Sequence, residues 1–356
     1  MNCRALTSAQ AKEWRAALGA LPHADVYYLP EYHRACEANG DGTAYAFVAE
    51  ESGKTLFHPF MLRRIERVGT RPVETPLYDI QTVYGYTGPL QNCDDETFLR
   101  QAWGQFGVWC REQRAVAEFV RFHPLLENHV AQQAYYQVSL DRETVALRLD
   151  VSAEALWKSY TPVHRNMIRK AMNCGLCGEL GDLERDLPEF SKLYGETMER
   201  ANAGAYYSFP EAYFQRLREG LREHLLLFSV RAGGKPIAAA LAFSFRDMLH
   251  YHLAGSDSAF RQAAPNNLLL HTMAEWGRSH GLRCFHLGGG RTARPDDELL
   301  RFKASVSRLR RQFHIGMRVH DQQGYERLCE EWLTQNGGAQ HPRYFLLYRL
   351  ETGTRT

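Results

Sequence analysis

GLRCFHLGGGRTARPDDELLRFKAS, residues 281–305, sets a strand, a run of glycines and a charged helix in direct succession. Residues Arg283 to Leu287 have the length of a short buried strand, with Phe285 and Leu287 on one face. Gly288, Gly289 and Gly290 follow, which allows backbone angles closed to other residues and a close approach by other atoms. Pro295, Asp296, Asp297 and Glu298 read as the first turn of a helix, where proline fits and acids suit the positive end. That helix carries Phe302 and Lys303 side by side. Lys303 is either a surface lysine beside a core phenylalanine, since lysines usually stay solvated, or a fixed cation that meets a phosphate or a developing oxyanion.

The charge around this stretch is uneven. The 356-residue chain has a net charge of only +2. Yet Arg283, Arg291, Arg294, Arg301, Lys303, Arg308, Arg310, Arg311 and Arg318 face only Asp296, Asp297 and Glu298 within the same span. A local basic patch can bind phosphates although the total is near zero; a solvated, partly paired surface is the alternative. The length suits two domains rather than one core. No apolar run reaches the ~18 residues of a membrane span, and the N-terminus lacks the apolar core of a secretion signal. A cytoplasmic protein is expected. The eight cysteines are then expected to be reduced. Cys174 and Cys177 form a lone C-x-x-C with no second ligand pair nearby, so no metal is expected.

Before residue 143 the pattern predicts a helix over 7–21, a hairpin of Ala44–Glu50 and Thr55–Leu62, a helix over Asp94–Arg114 and a strand over Val116–Phe122. Leu77 to Leu90, LYDIQTVYGYTGPL, ends in tyrosines and glycines. Tyr84 and Tyr86 are either a core edge or a binding floor, because tyrosine joins a flat apolar body to a polar tip. Asp79 can take a hydroxyl or an amine, or simply end a strand.

After residue 143 come a strand at Thr144–Leu149 and a helical stretch over 152–173 that Pro162 interrupts. Arg165, Arg169 and Lys170 share a helix face with no acid among them, which fits phosphate contact or a solvated face. Helices over Leu187–Arg200 and Pro210–Glu223 flank a loop with Tyr206 and Tyr207. Strands at Leu225–Arg231, Pro236–Phe245 and Met248–Ala254 form an antiparallel meander. A basic strand, Leu309–Val319, a helix from Gly324 to Gln335 and a last strand or strap over 341–350 close the chain.

Three of these places resemble one family. Leu-Gly-Gly at a strand end, then Leu-x-x-Phe-Lys ending at Lys303, resembles the C-terminal signature of the Fem family. R-N-x-I-R-K-A, from Arg165, is similar to a pattern carried there too, as is the tyrosine-glycine-proline stretch from Tyr84. Fem proteins are aminoacyl transferases that use aminoacyl-tRNA to extend peptidoglycan precursors and related peptides. The resemblance implies an α/β (α+β) fold of two tandem GNAT-like domains, each a mixed, mostly antiparallel sheet flanked by helices. It places an acceptor-side domain at 1–143 and a donor-side domain at 144–356. The chain looks like the shorter kind without a coiled-coil arm.

The resemblance also distributes roles. Lys303 would bind the ester end of the tRNA or the oxyanion, with Phe302 beside the substrate. Tyr251 would donate to the oxyanion from a strand that splays from its neighbour in GNAT folds. Tyr207 would orient substrate, Asp79, Tyr84 and Tyr86 would line the acceptor cleft, and Arg165, Arg169 and Lys170 would meet tRNA phosphates. The expected partners are aminoacyl-tRNA and a peptide or small-molecule amine, possibly nucleotide-linked, with a monomeric enzyme and no resident cofactor. The same superfamily includes acyl-CoA N-acyltransferases. In those, R/Q-x-x-G-x-G/A before a helix cradles the pyrophosphate. Here Arg261 to Asn267, RQAAPNN, lacks both glycines, and Pro265 lacks an amide donor, which disfavours a CoA thioester. A binding protein without transfer activity is the reading from another class.

Overall fold

The computed structural model describes residues 1–337 and 344–350. In chain order the elements are β1 (Asn2–Thr7), α1 (Ala11–Gly19), α2 (Pro30–Ala38), β2 (Thr43–Glu51), β3 (Lys54–Arg64), β4 (Arg67–Val68), β5 (Arg71–Pro72), β6 (Tyr78–Gln81), β7 (Leu90–Gln91), α3 (Glu96–Glu112) and β8 (Ala115–Arg121). Next come β9 (Gln137–Arg148), α4 (Ala153–Ser159), α5 (Pro162–Asn173), β10 (Cys177–Leu180), α6 (Leu183–Arg200), α7 (Glu211–Leu221), β11 (Leu225–Ala232), β12 (Lys235–Phe245) and β13 (Met248–Ser256). The chain ends with α8 (Pro265–Ser279), β14 (Cys284–Gly289), α9 (Glu298–Ala304), β15 (Arg310–Val319) and α10 (Gln322–Gln335).

Two compact units form, one from residues 1–140 and 313–356, the other from 141–312. The first orders its strands β1-β2-β3-β6-β8-β15, the second β10-β11-β12-β13-β14-β9. In each, four antiparallel strands lead to one parallel pair, β6 with β8 or β13 with β14, and an antiparallel strand closes the series. This repeated pattern makes the chain a tandem of two GNAT-like units.

The closing strands are exchanged between the halves of the sequence. β15, late in the chain, completes the first unit, while most of β9 completes the second. The described residues from 313 onward therefore fold with the first unit and not with the second half, where the division at 143/144 placed them. Of the segment expected over 341–350, residues 341–343 lie outside the described chain. Its Leu346, Leu347 and Tyr348 are buried with Val116, Leu328 and Trp332 in the first unit, as a strap and not a strand.

Each core follows from its periodicity. Phe98, Ala102, Trp103 and Phe106 of α3 pack on Phe47, Phe60, Val120 and Phe122, as a 3.6-residue apolar stripe requires. Leu268, Leu269 and Met273 of α8 join Leu249, Phe285 and Leu287 in the second core. At Gly255 of β13 a β-carbon would lie 2.3 Å from the Leu193 carbonyl carbon of α6. Gly255→Ala should therefore cost about 3 kcal/mol, as overpacking against backbone does; a chemical melt within ~0.5 kcal/mol of wild type would refute that close approach.

Some elements escaped the pattern. The helix placed at 7–21 shortens to α1, because residues 2–7 pair with β2 from Asn2↔Glu50 to Thr7↔Tyr45. The helix placed from Pro295 begins at Glu298, with Asp297 as its N-cap. β10 lies in a stretch to which the pattern assigns no element.

Candidate active site

β13 and β14 pair only from Met248↔Cys284 to His250↔His286; beyond that they part. Two irregularities shape the gap. β13 carries a bulge, because Leu241 pairs with Leu253 but Ala242 with Tyr251. The extra residue, His252, is buried, 2.9 Å from the Tyr213 hydroxyl, with its ring 4.3 Å from that of Phe243. Burial pushes its pKa down to about 3. β14 breaks register with β9 between His286 and Gly288, where Gly288 takes a φ of 73°. That angle favours glycine.

Lys303 projects from α9 onto this strand end. Its Nζ donates to the Gly289 carbonyl at 2.8 Å and lies 5.6 Å from the centre of the half-buried Tyr251 ring. The side chain is only 7% exposed. Burial lowers its pKa from 10.5 to about 7, against the opposing pull of the Asp297 charge. The ammonium is thus held by a carbonyl and an aromatic face, an arrangement that leaves its charge available to a ligand. Phe302 packs half-buried against the core of the second unit.

Two clamps fix the intervening loop. Asp297 accepts from Leu300 N at 2.9 Å, Thr292 N at 2.9 Å and Thr292 Oγ1 at 3.0 Å. Burial would raise its pKa, but these hydrogen bonds hold it at about 2. Gly290 must lack a side chain, since a β-carbon there would lie 2.3 Å from Asp297 Oδ1. On the other side, Arg142 Nη1 donates to the carbonyls of Gly290 at 3.2 Å and Arg291 at 3.0 Å. Asp297→Ala should cost about 1–2 kcal/mol, as loss of an N-cap does, and lower the Lys303 pKa further. Thermal melts and pH-dependent labelling of Lys303 check both; an unchanged pKa would remove Asp297 from the electrostatics of the site.

Behind Phe302 lies a second polar group. His164 is fully buried, its Nδ1 3.0 Å from Ser305 Oγ and 2.9 Å from Asn267 Nδ2. Burial brings its pKa down to about 4, so it is neutral. It links α5, the start of α8 and the end of α9. In the place of the pyrophosphate loop, Ala264 adopts a φ of 57° and Pro265 opens α8, a left-handed conformation that costs a non-glycine residue roughly 1 kcal/mol.

The remaining candidates sort as follows. Arg165 Nη1 lies 2.5 Å from the Tyr160 carbonyl and also reaches those of Trp157 and Lys158, tying down the end of α4. Arg169 is exposed and lies over Trp157 at 5.2 Å, and Lys170 is exposed. The three do not present one shared cradle, because Arg165 is engaged with backbone. Tyr207 is 39% exposed in the loop before α7, its carbonyl held by the Tyr194 hydroxyl at 2.7 Å.

Asp79, Tyr84 and Tyr86 belong to the first unit. Asp79 is fully buried, bonded to Arg63 Nε at 3.0 Å and Arg349 Nε at 2.7 Å. It is a structural ion pair between cross-strand partners and not a group open to an amine. Tyr84 and Tyr86 are half-buried. The Tyr86 ring meets those of Tyr27 at 5.9 Å, His123 at 6.1 Å and Phe313 at 5.2 Å, and the Tyr84 carbonyl accepts from Tyr32. A β-carbon at Gly85 would strike Tyr27 at 2.4 Å, so the glycine lets this aromatic wall close.

Residues 163–304 match the domain model described as an acetyltransferase (GNAT) domain. Among solved structures, FemX is 15% identical, with 92% of this chain and 99% of that one covered at a TM-score of 0.69. The C-terminal domain (DUF2156) of a putative lysylphosphatidylglycerol synthetase from Agrobacterium fabrum is 14% identical, covering 87% and 92%, at 0.56. L-PGS from Bacillus licheniformis is 12% identical, covering 86% and 91%, at 0.53. No curated protein matches the sequence. The chain has the Fem-like tandem GNAT fold, and the match to the GNAT domain model lies within its second unit. Among the described residues, no helix is long and apolar enough to cross a membrane.

Proposed function

We propose that the protein transfers an aminoacyl group from aminoacyl-tRNA to an amine on a peptide-bearing small molecule such as a peptidoglycan precursor. Lys303 carries this reading: a buried amine with a carbonyl partner, set where β13 and β14 part. Aminolysis of an activated ester passes through a tetrahedral oxyanion, so alignment and charge stabilisation are the main tasks. Lys303 neutralises that oxyanion or the ester end of the tRNA, and Tyr251, whose ring centre lies 5.6 Å from the amine, is assigned to donate to the same charge. Anionic charge there raises the Lys303 pKa and completes its protonation. Exposed Arg291, Arg301 and Arg308 lie near Lys303 in the sequence, and we assign them to phosphate contact. No resident cofactor is needed. The acceptor is assigned to the first unit, against Tyr84 and Tyr86.

The match to a GNAT domain model favours a second reading, transfer from an acyl-CoA. Ala264 and Pro265 in place of the phosphate-binding glycines speak against it. One experiment separates them. The full chain is incubated with pooled charged tRNAs and cytoplasmic cell-wall precursors, or with acetyl-CoA and the same acceptors, and products are read by mass spectrometry. Aminoacylated acceptors from the tRNA arm support the proposal; acyl transfer from the CoA arm alone overturns it.

A further inference from the structure

The second unit holds a cavity of about 690 Å³ between α6 and α7, separate from the Lys303 strand end in its lining residues. Its lining mixes polar residues with four aromatic ones, of which Tyr207 is exposed and Tyr194, Phe209 and Phe214 are buried beneath it. The Tyr194 ring lies 6.2 Å from Phe209 and 6.3 Å from Phe214, and its hydroxyl fixes the Tyr207 backbone at 2.7 Å. The loop that carries Tyr207 is thereby anchored to α6.

The charge of this cavity is acidic. Arg218 and Glu184 neutralise each other at one end, 2.6 Å apart. This pair joins the end of α7 to the start of α6, so the two helices run antiparallel. Glu199, late in α6, and Glu211, first in α7, therefore share the opposite end, beside Tyr207. Neither makes an ion pair among the described residues; Glu211 accepts only from the neutral Gln215, at 2.9 Å. The exposed Tyr207 ring beside uncompensated carboxylates favours an organic cation, which gains from both the ring quadrupole and the charge. The size suits a small molecule.

We infer that the α6/α7 cavity is a binding site for an amine-bearing organic cation, whose apolar body lies on Tyr207 and whose ammonium faces Glu199 and Glu211. The site is opposite in sign to the basic surface around Lys303, so it takes a ligand of a different class from the tRNA phosphates. It does not depend on acyl transfer.

Calorimetry on the full chain at low salt tests it with three probes of one shape: hexylamine, hexanol and hexanoate. Hexylamine should bind at least ~10-fold tighter than hexanol, and hexanoate should give no binding. The double variant E199Q/E211Q, substituted at the helix surface, should lose ~10-fold or more of the hexylamine affinity while keeping its melting temperature. Tyr207→Ala should weaken hexylamine as well. Equal affinities for hexylamine and hexanol, an unchanged affinity in E199Q/E211Q, or no hexylamine binding at ~10 mM would each overturn the assignment.

Discussion

Lys303→Met should abolish transfer and stabilise the fold. Removing a charge that meets a developing oxyanion costs ~10³-fold in turnover. The stability change has the opposite sign. Burial places the folded-state pKa of Lys303 at about 7, well below its model value of 10.5. Between those values the unfolded chain holds one more proton, so burying the lysine costs stability. The cost is full below pH 7 and fades as the pH rises toward 10.5. Its ceiling is about 5 kcal/mol. The Gly289 carbonyl loses its partner in the variant, which offsets part of this. A net gain of roughly 2 kcal/mol at pH 7 is expected in denaturant melts, shrinking by pH 10. A variant that keeps near-wild-type transfer removes Lys303 from the mechanism, and one that is destabilised removes the account of its burial.

Glu118→Gln should strongly destabilise the first unit, and more so at neutral pH than in acid. Glu118 is fully buried. One carboxylate oxygen meets His58 Nε2 at 2.5 Å and the Tyr136 hydroxyl at 2.8 Å, and the other meets His320 Nε2 at 3.1 Å. Burial works against the charge, but His58 and His320 hold the pKa well below the usual carboxylate range. A carboxylate depressed in this way contributes stability that is present above about pH 5 and is lost as the pH falls. Glutamine keeps the shape but not the charge, and should cost about 3 kcal/mol at pH 7. The gap between variant and wild type should narrow by about 1.4 kcal/mol per pH unit below pH 4. A gap that stays constant from pH 7 to pH 3 would show that the carboxylate charge contributes nothing.

Those two residues differ in how legible they were. Lys303 stood out because a glycine-ended strand and a Phe-Lys pair lie close together in the sequence. Glu118 did not, because its partners His58 and His320 come from elements 60 and 202 residues away. Distance along the chain also hid the exchanged strands β9 and β15: each reads as a strand, but no local pattern says which unit it completes. Asp79 was misjudged for the same reason, since Arg349 sits 270 residues downstream. Local chemistry alone misled at Arg165, whose nearest acceptors are the backbone carbonyls at the end of the preceding helix. His164, Asn267 and Arg142 were missed as site residues, although His164 adjoins the R-N-x-I-R-K-A stretch and Asn267 ends RQAAPNN; no motif adjoins Arg142. Asp297 was read merely as a helix-start acid, although its position before Leu299 and Leu300 is an N-cap signal.

The central claim is that the Lys303 amine answers negative charge at the parted strands. Nitrogen-detected NMR titration of that amine tests it, free and with a phosphonate that mimics the tetrahedral adduct of an amino acid and adenosine. The account predicts a pKa near 7 in the free protein and a rise of ~1 unit or more with the phosphonate bound. A free value near 10.5, or no rise on saturation, would contradict it.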